Sequence, residues 1–412
     1  MKILLATFWV VPHIGGVWNY MNQLKKQLEK FGHEVDLLGY GDNHKYVYFV
    51  SEEVKLPKED VLEETNRQID KLALEKNYYA DSVVRFCESQ RLVFEKSVSK
   101  LNLSKYDVIH TQDVYSSSVF GRVKPKETTL IATLHGSVAH EMRDYVMNVH
   151  VTPTSPLACT FFDELEILGA TSASKTIVAN NYLKDVLINE FHVSPEQLQV
   201  MHYGYDIETF LNKINPNQRN VTRLDNKKVI IYTGRLVTLK GIHHLINALN
   251  MLHASQKDWV CWIVGEGEKQ AELERQVQEN NLEDSIKFLG TRDDIPQLLF
   301  EADLFVLPSL IENQPLSLIE AQIVGKPIIV SDAGGIPEMV EHGVTGIITK
   351  AGNEKELCNS LYALLENEAY SKQLANNAKK WALEHWSLEN SARKMMEIYN
   401  EGIIQNKRTN KI

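Results

Sequence analysis

Leu304-Phe305-Val306-Leu307 is followed by Pro308-Ser309-Leu310-Ile311-Glu312-Asn313-Gln314-Pro315-Leu316-Ser317-Leu318-Ile319-Glu320-Ala321-Gln322-Ile323-Val324-Gly325-Lys326-Pro327, and then by Ile328-Ile329-Val330. The first and last runs are short and apolar and read as buried strands. Between them Pro315 suits the first turn of a helix, where its missing N–H costs nothing. Strand, helix and strand in so short a span make the repeating unit of a parallel sheet flanked by helices.

The alternation continues outward in both directions. Upstream, Val229 to Thr233, Trp259 to Val264 and Ile286 to Leu289 read as further buried strands separated by helical patterns. At the other end of the chain, Ile3 to Phe8 precedes a helix face of Val17, Met21, Leu24, Leu28 and Phe31. Gly32 suits the position that ends that helix, and Val35 to Leu38 resumes as a strand. Strand-like runs return at Asp107 to His110, Thr129 to Leu134 and Lys175 to Ala179. Residues 51–104 are charged with apolar residues at helical spacing, which predicts two or three amphipathic helices; residues 142–156 have no period and read as a loop. The polar stretch from Lys213 to Lys228 separates two apolar blocks and reads as an interdomain linker. The expected organisation is an N-terminal Rossmann-like domain over 1–212, a second over 213–386, and a final helix over 387–412 free to cross back to the first.

Composition narrows the function. Of 412 residues, 44 are Lys or Arg and 54 are Asp or Glu, a formal net charge of −10. An acidic chain without a basic stripe is a poor partner for nucleic acid, although a local anion site needs only a few well-placed cations. Cys87, Cys159, Cys261 and Cys358 stand far apart with no C-x-x-C pair, so neither a thiolate metal site nor a disulfide framework is signalled. No apolar run approaches the ~18–20 residues that cross a bilayer, and no cleavable leader follows the first strand. The expectation is a soluble, cytoplasmic protein without a transmembrane segment.

Four loops carry candidate chemistry, each just past a strand end, where open α/β sheets place their ligands. Gly234-Arg235 and Lys240-Gly241 set two cations on one loop; curled back, they would converge on a phosphate, and extended they would be surface cations. Glu312 follows the strand of Leu304 to Leu307, and the free N–H groups at the helix start, near Asn313 to Leu316, can donate to an electronegative ligand. Glu320 lies among Leu318, Ile319, Ala321 and Ile323, where a carboxylate is costly without donors; sugar hydroxyls or an arginine would supply them. Gly15-Gly16 opens the first helix and allows close backbone approach to a phosphate or sugar. His135 follows Thr133-Leu134 and reads either as a structural histidine or as a donor to a substrate hydroxyl. Gly265-Glu266-Gly267 begins like a dinucleotide fingerprint but lacks the third glycine and carries acids that would repel a pyrophosphate. Neither G-x-x-x-x-G-K-[ST], H-E-x-x-H, G-x-S-x-G nor D-x-D occurs, which removes the simplest arguments for an NTPase, a zincin, an α/β-hydrolase or a metal-chelating carboxylate pair.

Taken in order, these segments resemble the family 4 retaining glycosyltransferases. Glu312 to Glu320 matches the E-x7-E motif. Gly325-Lys326-Pro327-Ile328-Ile329, Gly334-Gly335-Ile336-Pro337-Glu338, Gly234-Arg235 with Lys240-Gly241, Gly15-Gly16 and Gly32-His33-Glu34-Val35 follow the family pattern. The resemblance implies the GT-B architecture, an α/β fold of two doubly wound Rossmann-like domains facing a central cleft. It implies a nucleotide-diphosphate sugar, UDP-linked by family frequency, as co-substrate, with no metal or other cofactor required. On that analogy Arg235 and Lys240 hold the diphosphate, Glu320 accepts the ribose hydroxyls, and Glu312 with the amides of Asn313, Gln314, Pro315 and Leu316 addresses the donor sugar. Gly15 and Gly16 approach the phosphates, and His135 serves from the N-terminal, acceptor-binding domain. The catalytic set is then Glu312, His135, Arg235 and Lys240. The implied acceptor is a sugar, a lipid-linked or a small-molecule hydroxyl compound serving a surface polysaccharide or glycolipid, with peripheral membrane contact open to it. Two departures stand out: Asn313-Gln314 replaces a phenylalanine-glycine pair, and His202-Tyr203-Gly204 replaces proline-asparagine-glycine. A nucleotide-sugar epimerase of the same architecture is the alternative; it would need acid/base carboxylates from both domains. A silent scaffold would be expected to have lost Arg235, Lys240 or Glu312.

Overall fold

The computed structural model describes residues 1–12, 15–217, 221 and 227–409. The first part of the chain forms β1 (Lys2–Val10), α1 (Gly16–Lys30), β2 (Glu34–Tyr40), β3 (Tyr46–Phe49), β4 (Val54–Pro57), α2 (Glu59–Glu75), α3 (Ser82–Val98), β5 (Val108–Thr111), α4 (Val114–Val123), β6 (Thr129–Leu134), α5 (Val138–Asp144), α6 (Ser155–Thr171), β7 (Lys175–Val178), α7 (Asn181–Asn189) and β8 (Leu198–Val200). There follow α8 (Ile207–Leu211), β9 (Lys228–Thr233), α9 (Ile242–His253), β10 (Trp259–Val264), α10 (Gln270–Glu279), β11 (Ile286–Gly290), α11 (Ile295–Glu301), β12 (Leu304–Leu307), α12 (Leu316–Val324), β13 (Ile328–Ser331), β14 (Ile347–Thr349), α13 (Glu354–Glu366), α14 (Glu368–His385) and α15 (Leu388–Thr409).

Two compact units result. Residues 1–203 and the segment from Leu388 onward form one; residues 204–387 form the other. The division therefore falls at Tyr203–Gly204, ahead of the polar stretch 213–228, because Tyr205 and Phe210 pack into the core of the second unit. Within that stretch, residues 218–220 and 222–226 lie outside the described residues. The final helix groups with the first unit: Ala392, Met395, Ile398 and Tyr399 are buried, and α15 lies against α1 and β6.

The first unit is built on an eight-stranded sheet ordered β4-β3-β2-β1-β5-β6-β7-β8, parallel except for the β3–β4 hairpin at one edge. The second has six parallel strands ordered β11-β10-β9-β12-β13-β14. Ile3 to Ala6, Thr129 to Leu134 and all of Trp259 to Val264 are buried, as strands covered on both faces must be. The run 51–104 begins with a strand, β4, too short to impose a visible period on charged sequence, and then gives α2 and α3. Residues 142–156 are not one loop: α5 runs into a π-helical turn at Tyr145–Val149, and α6 starts at Ser155.

Small residues decide how closely the layers approach. Gly169 of α6 is buried against Val114 at the start of α4, and a Cβ there would stand 2.4 Å from the Val114 Cβ. Gly169→Ala improves helix propensity but overpacks this contact. It is expected to destabilise the first unit by about 1–3 kcal/mol, measured as a lowered urea midpoint by circular dichroism; an unchanged or raised midpoint would refute the packing argument.

Candidate active site

In the second unit the strand order reverses at β9 and β12, and ligands of open parallel sheets sit at the C-terminal edge of such a reversal. The two loops leaving this edge run from Gly234 to Gly241 and from Pro308 to Pro315. They are pinned together. The Leu310 N–H donates to Leu239 O at 2.8 Å. Gly241 has φ +65°, and a Cβ there would stand 2.1 Å from Pro308 O, so only glycine allows the approach. On the other side, a Cβ on Gly265 would lie 2.0 Å from Gly234 O and one on Gly267 2.3 Å from Leu236 O. The Gly265-Glu266-Gly267 turn is thus a packing surface for the Arg235 loop, and the Leu236 N–H donates to Glu266 O at 2.9 Å.

That pinning joins two motifs that stand 72 residues apart in sequence: the Lys240 ammonium donates to Glu312 Oε1. Both side chains are mostly buried, with 17% and 11% exposure. Glu312 Oε2 also accepts the Asn313 N–H at 3.3 Å, and Gly335 N–H donates to the Glu312 carbonyl at 3.1 Å. Arg235 is exposed, and its guanidinium makes no ion pair among the described residues. Tyr232 feels both the Arg235 and the Glu312 charge. Its hydroxyl donates to Arg235 O at 2.9 Å; burial first, then the Glu312 carboxylate, push its ionisation up, and Arg235 opposes them.

Glu312 precedes α12, whose N-cap is Pro315 and whose N-terminus no side chain caps. Asn313, Gln314 and Pro315 therefore lie just outside the helix and Leu316 opens it. Glu320, one turn further on, accepts a hydrogen bond from the Tyr205 hydroxyl at 2.6 Å. Burial pushes its carboxyl up to about 7, against the pull of the Tyr205 hydrogen bond and of Lys213. Arg235, Lys240, Glu312 and the α12 N-terminus thus share one edge of this unit, with Glu320 beside them on α12.

His135 follows β6 in the first unit. Its Nε2 is 3.1 Å from Gln112 Oε1 and its Nδ1 2.6 Å from the Tyr203 hydroxyl. Gln112 is oriented by donating its amide N–H to His110 O at 3.3 Å, so its oxygen faces the imidazole. That places the proton on Nε2 and leaves Nδ1 to accept from Tyr203. Burial lowers the His135 pKa to about 3, keeping the ring neutral. Tyr20 of α1 packs edge-on against His135 at 5.2 Å, which brings the start of that helix beside it. Gly15 is the N-cap, no side chain caps the helix, and its first turn carries no acid, so an anion would meet unopposed N–H groups at Gly15–Gly16.

The family described as Glycosyl transferases group 1 matches residues 214–381, and Glycosyltransferase Family 4 matches residues 14–209. The chain is a group 1, family 4-like glycosyltransferase of GT-B architecture. It is 26% identical to an uncharacterized glycosyltransferase of Methanocaldococcus jannaschii over 97% of this chain and 98% of that protein. It is also 26% identical to the Escherichia coli UDP-Gal:α-D-GlcNAc-diphosphoundecaprenol α-1,3-galactosyltransferase, over 74% and 78% of the two chains. Among solved structures it resembles sucrose-phosphate synthase from Thermosynechococcus elongatus, with TM-score 0.74, 20% identity and coverage of 97% and 98%. It resembles likewise the Anabaena protein HepE, solved with UDP, with TM-score 0.66, 21% identity and coverage of 97% and 100%. Among the described residues no helix is long and apolar enough to cross a membrane.

Three groups of this glycosyltransferase escaped the sequence reading. The hydroxyls of Thr233, at the end of β9, and Ser309, past β12, are buried without a hydrogen-bond partner at the same sheet edge. Their positions at strand ends are legible; their lack of partners is not. Tyr205 is the third, since nothing in sequence ties it to Glu320.

The Glu320 carboxyl binds its proton more tightly in the folded protein than in the unfolded chain, where it titrates near ~4.3. Its contribution to stability therefore declines as pH rises from ~4.3 to ~7 and stays low above. Glu320→Gln stays neutral and still accepts from Tyr205. The variant should gain about 1–3 kcal/mol over the parent between pH 4.5 and 7.5 in the unfolding of the second unit. Parallel stability–pH curves for the two proteins would refute the raised carboxyl.

Proposed function

We propose that this glycosyltransferase moves a sugar from a nucleotide-diphosphate sugar, UDP-linked, to an acceptor hydroxyl with retention of anomeric configuration and without a metal. The observation that carries the reading is the Lys240–Glu312 pair beside the unpaired Arg235 at the switch point of the second unit. The named E. coli relative, whose donor is UDP-Gal, and the likeness to HepE, solved with UDP, support the choice of nucleotide. The four free cysteines accord with a cytoplasmic setting.

In this reading Arg235 and Lys240 hold the diphosphate, and their charges stabilise the one that builds on it as the bond to the anomeric carbon breaks. Glu312 serves as the resident counter-anion of Lys240, so an arriving phosphate exchanges one anion for another and no bare ammonium is buried. The helix start from Gln314 to Leu316, with Pro315 fixing the turn, and the Gly15–Gly16 helix start supply further backbone donors to phosphate and sugar oxygens. Glu320 accepts the ribose hydroxyls. His135, neutral and with both ring nitrogens engaged, is a hydrogen-bonding group that shapes the acceptor side and not a proton shuttle. The acceptor oxygen attacks from the face the diphosphate leaves; the carbon–oxygen bond to the leaving phosphate breaks, and that phosphate takes the acceptor's proton. A double displacement through Glu312 is disfavoured because its oxygens are already committed to Lys240 and the Asn313 N–H.

A thermal-shift panel of nucleotides and nucleotide sugars tests the donor. A ligand at a hundred times its Kd should stabilise by about 2.7 kcal/mol and raise the melting midpoint; a panel without any shift would remove the reading. Arg235→Ala should lower kcat by about 10²–10³-fold, whereas Glu320→Ala should weaken UDP binding about tenfold by calorimetry. Unchanged UDP affinity in Glu320→Ala would overturn the ribose assignment.

A further inference from the structure

The end of the β3–β4 hairpin beside the C-terminus of β2 holds polar groups that nothing above uses. β2 ends at Tyr40, and the turn that follows sets two successive non-glycine residues in the left-handed region, Asn43 at φ +52° and His44 at φ +54°. Such conformations are uncommon for residues other than glycine and persist where surroundings enforce them. Here they hold the His44 ring 4.8 Å from Tyr40 and 6.4 Å from Phe8. Lys58, just past β4, is tied to the same turn by its N–H, which donates to Lys45 O at 3.0 Å. Trp9 stands at the end of β1, its ring braced edge-on by Phe8 at 6.0 Å and Tyr115 at 6.2 Å, and still 38% exposed.

Among the described residues, no hydrogen bond or ion pair engages the side chains of Asn43, His44, Lys45 or Lys58. His44 and Lys58 are nonetheless half-buried. Burial, then the neighbouring Lys58, hold His44 below its ordinary range, and burial lowers Lys58 as well. Asp42 is turned toward the Tyr46 hydroxyl, at 3.4 Å, and Glu59 opens α2 beside Lys58. In a chain of net charge −10, two ammonium groups and an imidazole gathered without ion-pair partners form a local anion site. Three donors match the oxygens of a phosphate, and a braced, exposed indole offers an apolar face to a sugar ring.

We infer that Asn43, His44, Lys45, Lys58 and Trp9 form the acceptor subsite of the first unit, and that the acceptor is a sugar carrying a phosphate. The inference rests on the transferase reading for the word acceptor, and on the cluster alone for the phosphate. The sugar ring lies on Trp9, Asn43 bonds its hydroxyls, and Lys45, Lys58 and His44 hold the phosphate. The phosphate comes either from a soluble sugar phosphate or from a lipid-borne one.

Calorimetric titration of the whole chain with saturating UDP, which keeps the probes out of the donor site, tests this. Glucose 1-phosphate should bind at least about tenfold more tightly than glucose, and Lys58→Met should weaken it about tenfold. His44→Gln should weaken it less. Trp9→Ala should weaken glucose 1-phosphate but leave inorganic phosphate unchanged. UDP affinity, measured separately, should be equal in all variants. A prenyl-linked sugar phosphate that binds more tightly than glucose 1-phosphate, still dependent on Lys58, assigns the lipid-borne source; equal affinity assigns the soluble one. If the parent binds neither glucose 1-phosphate nor inorganic phosphate, or if Lys58→Met binds both as the parent does, the inference falls while the transferase reading stands. Failure of UDP to bind the parent would sink the transferase reading instead, and Lys58→Met would still decide the phosphate site.

Discussion

A lysine ammonium that is largely out of water needs a partner, and the second unit is arranged so that Lys240 finds Glu312. The partner lies on a different loop, after a different strand, so the pair exists only because β9 and β12 are neighbours in the sheet. Breaking a buried pair by removing one member typically costs about 3–5 kcal/mol, which makes the pairing a constraint on both loops at once. Around it the backbone is packed to contact: Gly241 under Pro308, Gly265 under Gly234, Gly267 under Leu236. None of these positions has room for a Cβ. The cation of Arg235 is left outside this closure and has no ion-pair partner among the described residues, the arrangement expected where a ligand supplies the missing charge.

Much of this was legible in the residues themselves. Buried parallel strands announce themselves as continuous apolar runs, and Val229 to Thr233, Trp259 to Val264 and Leu304 to Leu307 were readable for that reason. The ordered loops after them could be located because ligand residues concentrate at strand ends. Pro315 and Gly325 bracket α12 as a proline start and a glycine stop should; Gly325, at φ +80°, closes the helix through the Lys326 N–H to Ala321 O at 3.0 Å.

What escaped was whatever depends on distance in space. The hairpin of Tyr46–Phe49 and Val54–Pro57 is four residues a side, too short for a period to stand out from charged neighbours. Gly265 and Gly267 looked like the remnant of a nucleotide fingerprint, because a glycine needed for backbone contact and one needed for a phosphate are the same letter. The pairing of Glu320 with Tyr205 spans 115 residues, and no local pattern predicts it. Nor does any local pattern show that residues 204–211 belong with the second unit, through Tyr205 and Phe210, and α15 with the first, through its packing on α1 and β6.

Two polar groups at these sheets' C-terminal edges solve the burial problem in opposite ways. His135 is kept neutral and satisfied on both nitrogens, its tautomer fixed through Gln112 by the His110 carbonyl, so nothing about it changes between mildly acidic and mildly alkaline solution. Glu320 has one strong donor, Tyr205, with no second side-chain donor among the described residues, and burial has moved its proton into the neutral range. A group held that way is poorly stabilised by its own protein, and a pair of hydroxyl donors would improve its position more than they would for an exposed carboxylate. By the same reasoning the orphan hydroxyls of Thr233 and Ser309 are unfinished until something polar occupies the edge they share. His135 has a partner at each ring nitrogen, whereas the hydroxyls of Thr233 and Ser309 have none among the described residues, and those two orphans at the ends of β9 and β12 form a polar edge that a charged substrate would complete.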